Sequence, residues 1–242
     1  MKTIFTKSNT LSAGILLLCL SLTIACSKKK KDDPEPIKPT CRIITAGTGA
    51  TAYNITYNDE GRISKVTAGS SIRTYEYTGN TVIVHTTNAG AFSKKNTYTL
   101  NSNGFVTNKR TENNEAGTDW DNAEFLYNGG TQLIKLTYTG SAGGPPTIAT
   151  FSWANGNIQP DAGTFEYYTD KPKQSGDFIY YQELFEHDGM KVFNPKNAVK
   201  SLTVGSSTLL MTYTADQDEK ITSMTIQRGT LADVVNYQYQ CN

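Results

Sequence analysis

The sequence predicts an all-β fold, built as an antiparallel meander of hairpins, and two observations support this prediction. Short strands that contain aromatic residues are followed by strands rich in β-branched residues, with turns of Gly, Asn and Asp between them, which is the pattern of β-hairpins. Turn glycines also recur regularly, because intervals of 18, 25, 26 and 26 residues separate Gly61, Gly79, Gly104, Gly130 and Gly156. Such intervals fit one strand pair and its connections, so the chain contains degenerate repeats.

The clearest hairpin joins a strand at 53–57 to a strand at 62–66 through the turn 58–61. Similar pairs are predicted at 74–77 with 82–84, 97–100 with 105–106, 124–127 with 133–138, and 150–153 with the segment ending at 158. The closing strands are predicted at 209–214, 221–227 and 234–241. Turn Gly and Asn supply the positive φ that tight hairpins require, so the fold alone accounts for them.

Residues 160–200 interrupt this rhythm, because no comparable turn follows Gly156 until Asp218. Within the interruption, residues 178–185 place apolar side chains near helical spacing, which favours one short helix, although a buried strand fits the same run. Long irregular insertions in a meander often carry binding sites, so this region is the first candidate for function.

The first 25 residues have the pattern of a bacterial lipoprotein signal peptide. Lys2 and Lys7 precede an apolar stretch over 11–25 that is too short to span a bilayer as a helix. Residues 22–26 resemble a lipobox, which predicts cleavage before Cys26 and lipidation of that cysteine. Cys19 is the poorer acceptor because Leu18 precedes it. The alternative is a simple secreted protein.

Residues 26–40 predict a flexible tether, since they are charged, rich in proline and without an aromatic residue. The run 31–33, Lys-Asp-Asp, resembles the export tag that Bacteroidetes-type lipoproteins use to reach the outer face of the outer membrane. We therefore expect an outer-membrane lipoprotein displayed at the cell surface, with a periplasm-facing tether as the alternative. Residues 41–242 are predicted to form a single β domain.

The predicted β domain carries 16 Lys and Arg against 19 Asp and Glu, a net charge of −3, which argues against a nucleic-acid partner. After processing, its only cysteines are Cys41 and Cys241, one at each end. In an oxidising compartment they are expected to pair, which requires the first and last strands to be neighbours. The alternative is two free, buried thiols.

Several segments together resemble a large group of Bacteroidetes-type surface lipoproteins of unknown function, described as having a porin-like β fold and weak tyrosine-aspartate repeats of the Rhs kind. These segments are Cys26 with its tether, the hairpin at 57–63, the stretches 168–172 and 194–199, and the terminal 237–241. The resemblance implies a curved antiparallel sheet or barrel and no known activity. Because outward positions hold Thr, Ser, Asn and Lys rather than alternating apolar residues, we expect a soluble domain rather than a membrane-embedded one.

Chemical signals are sparse. His85 and His187 are the only histidines and lack partners at ligand spacing, so neither a metal site nor a cofactor is predicted. Paired carboxylates are the remaining enzymatic option, and Glu183 and Glu186 beside His187 are the best candidates for a carbohydrate-active enzyme. The loop containing Asp216, Asp218 and Glu219 offers oxygen ligands for Ca²⁺ but lacks the spacing of a dedicated calcium loop, which favours a solvated turn.

Trp120 is the strongest binding candidate because Asp119 and Asp121 flank it. An exposed indole between carboxylates suits the stacking of a sugar ring, whereas the alternative is a Trp that caps the sheet edge. The sequence thus favours a lipid-anchored, non-enzymatic binding or interaction module for a glycan, peptide or protein. The alternatives are a carbohydrate-active enzyme and a purely structural envelope protein.

Overall fold

The computed structural model describes residues 40–241, so the predicted signal peptide, Cys26 and the tether up to residue 39 lie outside the described residues. Within this range the chain forms sixteen β-strands, one α-helix and a 3-10 turn at Gly49–Thr51. None of the residues described here belongs to a helix long and apolar enough to cross a membrane. The elements are β1 Cys41–Ala46, β2 Tyr53–Tyr57, β3 Ile63–Ala68, β4 Ser71–Thr78, β5 Thr81–Asn88, β6 Ala91–Leu100, β7 Val106–Glu112, β8 Trp120–Asn128, β9 Gln132–Gly140, β10 Thr147–Ala154, β11 Asn157–Pro160, β12 Thr164–Pro172, α1 Phe178–Glu186, β13 Asn197–Val204, β14 Ser207–Ala215, β15 Ile221–Arg228 and β16 Leu231–Cys241.

All sixteen strands belong to one antiparallel sheet that runs from β11 down to β1, continues to β16 and ends at β12. The predicted all-β meander is therefore confirmed. The first and last strands pair, with Cys41 opposite Cys241, and a disulfide joins these cysteines at a Cα–Cα distance of 4.0 Å. The predicted disulfide is confirmed, and the alternative of two free thiols is wrong.

The two edges of the sheet, β11 and β12, meet through side chains, so the barrel is nearly closed. The carboxamide of Gln159 on β11 donates a hydrogen bond to the carbonyl oxygen of Phe165 (2.8 Å) and accepts one from its N–H (2.9 Å). The hydroxyl of Tyr167 donates to the carbonyl oxygen of Ile158 at 2.6 Å. These contacts occupy edge groups that would otherwise be open to pairing with another chain.

The barrel has two distinct ends. The disulfide end carries the chain ends of the sheet, Cys41 and Cys241, together with the turns after β2, β4, β6, β8, β10 and β14. The far end carries the connections after β1, β3, β5, β7, β9, β11, β13 and β15. The β12–β13 connection, residues 173–196, leaves from the disulfide end, because Pro172 lies opposite Asn197 there.

Alternation along the strands separates a packed interior from a polar exterior. In β4, Arg73 and Tyr75 are buried whereas Glu76 is exposed, and in β8 Phe125 is buried whereas Glu124 is exposed. Successive side chains of a strand point to opposite faces, so each strand contributes one row to the core and one to the surface.

Aromatic side chains cap β-bulges near the disulfide end. In β1, β3, β9, β13 and β15 a bulge inserts one extra residue, which disrupts the ladder there. In each case a Tyr or Trp of the following strand donates a hydrogen bond to the carbonyl oxygen of the residue before the bulge. The pairs are Tyr57 with Ile43, Tyr77 with Ile63, Trp153 with Leu133, Tyr213 with Val199, and Tyr239 with Ile221.

The interruption predicted at 160–200 contains the expected helix. α1 begins after Asp177, whose carboxylate accepts a hydrogen bond from the N–H of Tyr180 (2.8 Å), a common form of N-cap. It ends where Asp188 and Gly189 turn into the left-handed region, with φ of 53° and 82°. The helix is confirmed, and the buried-strand alternative is wrong. The flanking strands β12 and β13, which the sequence pattern did not predict, shorten the irregular segment to 173–196.

Candidate functional site

The segment 173–196, which we call the plug, packs inside the barrel and is fixed to its wall by Asp188. This buried carboxylate forms an ion pair with Arg73 of β4 (3.1 Å). Its other oxygen accepts hydrogen bonds from the amide of Asn96 (2.6 Å) and the hydroxyl of Tyr98 (2.7 Å), both on β6. Hydrogen bonds to an ionised acceptor are stronger than neutral ones, so these contacts hold the plug against β4–β6.

A second buried carboxylate folds the plug back on itself. Glu183 of α1 accepts hydrogen bonds from the N–H groups of Val192 and Phe193, each at 3.0 Å, and lies 3.6 Å from the ammonium of Lys173. Burial raises the pKa of Glu183, although Lys173 and the two N–H groups oppose that rise.

The residues predicted as an acid pair occupy different environments. Glu183 is buried and bonded to backbone, whereas Glu186 is exposed. His187 follows the helix, and its Nδ1 atom is buried without a hydrogen-bond partner. Burial lowers the pKa of His187 to about 3, so its imidazole is neutral at physiological pH. The enzymatic role of these residues stays a prediction.

A cavity of about 440 Å³, which we call the far-end cavity, lies between α1 and the inner faces of β12–β16. Its wall includes one row of directly opposed residues, each on a neighbouring strand close to the far end. Aromatic and aliphatic side chains dominate the lining, as in pockets for small molecules. The row is Phe165, Leu202, Leu209, Arg228 and Leu231, and the remaining lining residues are Phe178, Ile179, Tyr181, Gln182, Phe193, Ile226 and Asp233.

Of the described residues that line the far-end cavity, three have fully polar side chains: Gln182, Arg228 and Asp233. Arg228 is exposed and lies at the rim opposite Leu231, which is 72% exposed. Asp233 lies one row further in, opposite Ile226. Burial raises the pKa of the Tyr181 hydroxyl, and neighbouring acidic groups that include Asp233 add to that rise. Asp233 and Tyr181 of α1 both line the cavity.

Trp120 begins β8 at the far end and is half-buried on the outer face. The guanidinium of Arg110 lies 4.6 Å from its ring centroid, a cation–π contact, and Glu112 holds Arg110 at 3.5 Å. Asp121 accepts a hydrogen bond from Asn113 (2.9 Å), and Asp119 accepts one from Ser141 (3.3 Å). The sugar-platform role of Trp120 stays a prediction, and this cluster lies outside the far-end cavity.

The loop considered for Ca²⁺ has the same geometry as two other hairpin turns. Asp216 accepts a hydrogen bond from the N–H of Lys220 (2.9 Å), as Asn58 does from Arg62 (2.9 Å) and Asn101 from Phe105 (3.1 Å). Asp216 and Asn101 also accept from the N–H groups two residues further on, those of Asp218 and Asn103 (2.9 Å each), which is the bond of an Asx turn. The carboxylate of Asp216 therefore has a structural role that an asparagine fills elsewhere.

Sequence reasoning missed the residues that line the far-end cavity. Leu202, Leu209 and Ile226 have the alternating pattern of any buried strand face, so no local signal separates a cavity wall from a packed core. Arg228 and Asp233 could not be singled out either, because their inward positions on β15 and β16 become visible only once the strand pairing is known.

Within the described residues, the fold and site together define a class, a nearly closed sixteen-stranded antiparallel barrel whose interior holds a plug with a single helix. A porin-like protein from Bacteroides uniformis ATCC 8492 shares this fold, with a TM-score of 0.60 at 19% sequence identity over 84% of this chain and 96% of that one. A porin-like protein from Bacteroides vulgatus ATCC 8482 gives a TM-score of 0.44 at 11% identity over 82% and 97% of the two chains. The sequence matches no protein-family model and no curated protein.

Proposed function

We propose that this protein is a non-enzymatic binding module of the cell envelope, anchored through a lipid on Cys26, that captures a ligand in the far-end cavity. The position of the cavity supports this proposal most strongly. The chain enters the barrel at Cys41, at the disulfide end, whereas the cavity opens among the residues of the far end. The cavity residues therefore lie at the end of the described barrel opposite Cys41.

The barrel interior agrees better with the binding of a ligand than with the passage of solutes through a channel. The plug crosses the interior and bonds to Arg73, Asn96 and Tyr98 through buried groups, which argues against a water-filled channel. Outward residues such as Glu76 and Glu124 are exposed and charged, whereas a lipid-facing barrel presents an apolar band. In the part of the chain that the structure describes, Asp233 is the single acid that lines the far-end cavity, so a pair of catalytic carboxylates finds no support there.

The test compares two neighbouring leucines of β14. Leu209 lines the cavity, whereas Leu210 lies on the outer face and is 45% exposed. We expect the neutral apolar dye N-phenyl-1-naphthylamine to bind the purified protein with a rise in fluorescence. Leu209→Arg should abolish that rise because it places a charge in the cavity, whereas Leu210→Arg should leave it unchanged. Absence of dye binding to the wild type, or equal loss in both variants, contradicts the proposal.

The anchor has a separate test. Extraction of expressing cells with Triton X-114 should place the wild type in the detergent phase and Cys26→Ser in the aqueous phase, because one acyl chain supplies about 0.8 kcal/mol per buried methylene. Cys19→Ser is the matched control and should still partition into detergent. Detergent partitioning of Cys26→Ser would show that Cys26 is not the lipidated residue.

A further inference from the structure

Two opposite charges face the far-end cavity without protein partners. The residues that line it include Arg228 and Asp233, and neither makes an ion pair or a side-chain hydrogen bond within the described residues. Both residues are solvent-exposed at the mouth of the cavity, unlike Arg73 and Asp188, which are buried deeper in the barrel and pair with each other at 3.1 Å. Charges at a concave site that the fold leaves unpaired are available to a ligand.

The spacing of these charges is set by strand pairing. Arg228 lies opposite Leu231 and Ile226 opposite Asp233, so Arg228 and Asp233 are diagonal neighbours on adjacent strands. Diagonal neighbours in an antiparallel pair are about 7–8 Å apart. An extended chain covers about 3.3–3.6 Å per residue, so the separation corresponds to roughly two residues of peptide.

The surface around the charges is apolar. Phe165, Leu202 and Leu209 form the wall, and Phe178 and Tyr181 of α1 form the floor. The rings of Phe178 and Tyr181 are nearly parallel, with an interplanar angle of 19° and centroids 6.5 Å apart. Such a surface suits aliphatic or aromatic side chains, whereas a sugar would leave most of its hydroxyls without partners.

We infer that the far-end cavity binds short zwitterionic peptides of about two residues with apolar side chains. The peptide carboxylate pairs with Arg228 at the rim, and the peptide ammonium pairs with Asp233 beside the floor. A fatty acid fits less well, because its hydrocarbon chain would cover the Asp233 carboxylate without neutralising it, which is costly. This inference rests on the proposed function, since it names the ligand class of the same cavity.

The test uses isothermal titration of the purified full chain with the dipeptide Leu-Phe. Amidating the carboxylate should weaken binding to the wild type about tenfold or more, because a hydrogen bond to a charged group contributes about 1.5–3 kcal/mol. In Arg228→Gln the free and amidated peptides should bind equally weakly. Acetylating the peptide ammonium should likewise weaken binding to the wild type. In Asp233→Asn the free and acetylated peptides should bind equally weakly. Lys200→Gln, an exposed lysine on the outer face, is the control and should bind Leu-Phe as the wild type does.

Two results overturn the inference while leaving the proposed function in place. One is equal affinity for free and doubly blocked Leu-Phe, and the other is dodecanoate binding that is tighter than Leu-Phe binding and unaffected by Asp233→Asn. In both cases the apolar dye still binds and Leu209→Arg still abolishes its signal. Failure of the dye itself to bind removes the proposed function and the peptide inference together.

Discussion

Replacing Asp188 by Asn tests whether the plug is held by its buried ion pair. Asn preserves the size of the side chain and tolerates the positive φ of 53° at this position. It removes the charge that faces Arg73 at 3.1 Å, where the two side chains are 10% and 2% exposed. Breaking a buried pair by neutralising one partner costs about 3–5 kcal/mol, because the remaining charge stays buried without compensation.

We therefore expect Asp188→Asn to lower the free energy of unfolding by about 3 kcal/mol. This value is at the lower end of the range because the new carboxamide oxygen still accepts hydrogen bonds from Asn96 and Tyr98. Urea denaturation followed by circular dichroism measures this as a fall in the midpoint. Asp218→Asn is the surface control, since that carboxylate is 78% exposed, and it should change stability by less than about 0.5 kcal/mol.

Adding Arg73→Met to Asp188→Asn removes the uncompensated cation and should restore part of the lost stability. Pairs that share a direct contact are expected to be non-additive in this way. A loss of stability in Asp188→Asn no larger than that of the surface control, or a loss in the double variant equal to the sum of the two single losses, would contradict the role of the ion pair.

Three further predictions concern closure, bulges and acid stability. The disulfide joins Cys41 and Cys241 across a separation of 200 residues, so replacing both by Ser should lower the stability by at most about 5 kcal/mol, measured by urea denaturation; an unchanged midpoint would contradict this. Tyr213→Phe leaves a bulge carbonyl without its donor and should lower the free energy of unfolding by about 1–2 kcal/mol. Tyr138→Phe removes a hydroxyl with no hydrogen bond to the described residues and should lower it by less. Equal losses would argue against the capping role. Because the pKa of His187 is lowered to about 3, the unfolded chain binds more protons between pH 6.5 and 3, so stability falls as pH drops through this window; His187→Gln should flatten that fall, and parallel pH curves would contradict the assignment.

Much of the fold could be predicted from the sequence, because the residues that define each hairpin are close together along the chain. Turn residues such as Gly61 and Gly104, with φ of 76° and 79°, mark the hairpins, and each hairpin brings its own two strands together. The positions of Cys41 and Cys241 supplied the one long-range contact needed to make the first and last strands neighbours. The sequence did not predict β12 and β13, because the plug separates them and no short turn marks their pairing.

The aromatic residues show why composition alone misleads. Tyr57, Tyr77 and Tyr213 give no sign in the sequence of binding backbone, yet each caps a bulge carbonyl 14 residues earlier. The bulges arise from the strand register rather than from a residue pattern. An abundance of tyrosine in this chain therefore reflects the construction of the barrel as much as any ligand.

The candidate site was less predictable than the fold, because it depends on contacts between distant elements. The sequence shows that residues 160–200 depart from the hairpin pattern, but the helix in this segment supplies only the floor of the cavity. The wall comes from β12–β16, and Arg228 and Asp233 meet across a hairpin turn that carried no functional motif. Trp120 drew attention because its neighbours in sequence are acidic, whereas in the fold its ring faces Arg110.

The most direct test of ligand capture at the far end is a crystal structure of the protein grown with N-phenyl-1-naphthylamine. We expect electron density for the dye against Phe178 and Tyr181, inside the row that contains Leu209. Density for the dye bound only on the outer face or at the disulfide end, with the far-end cavity empty, would contradict it.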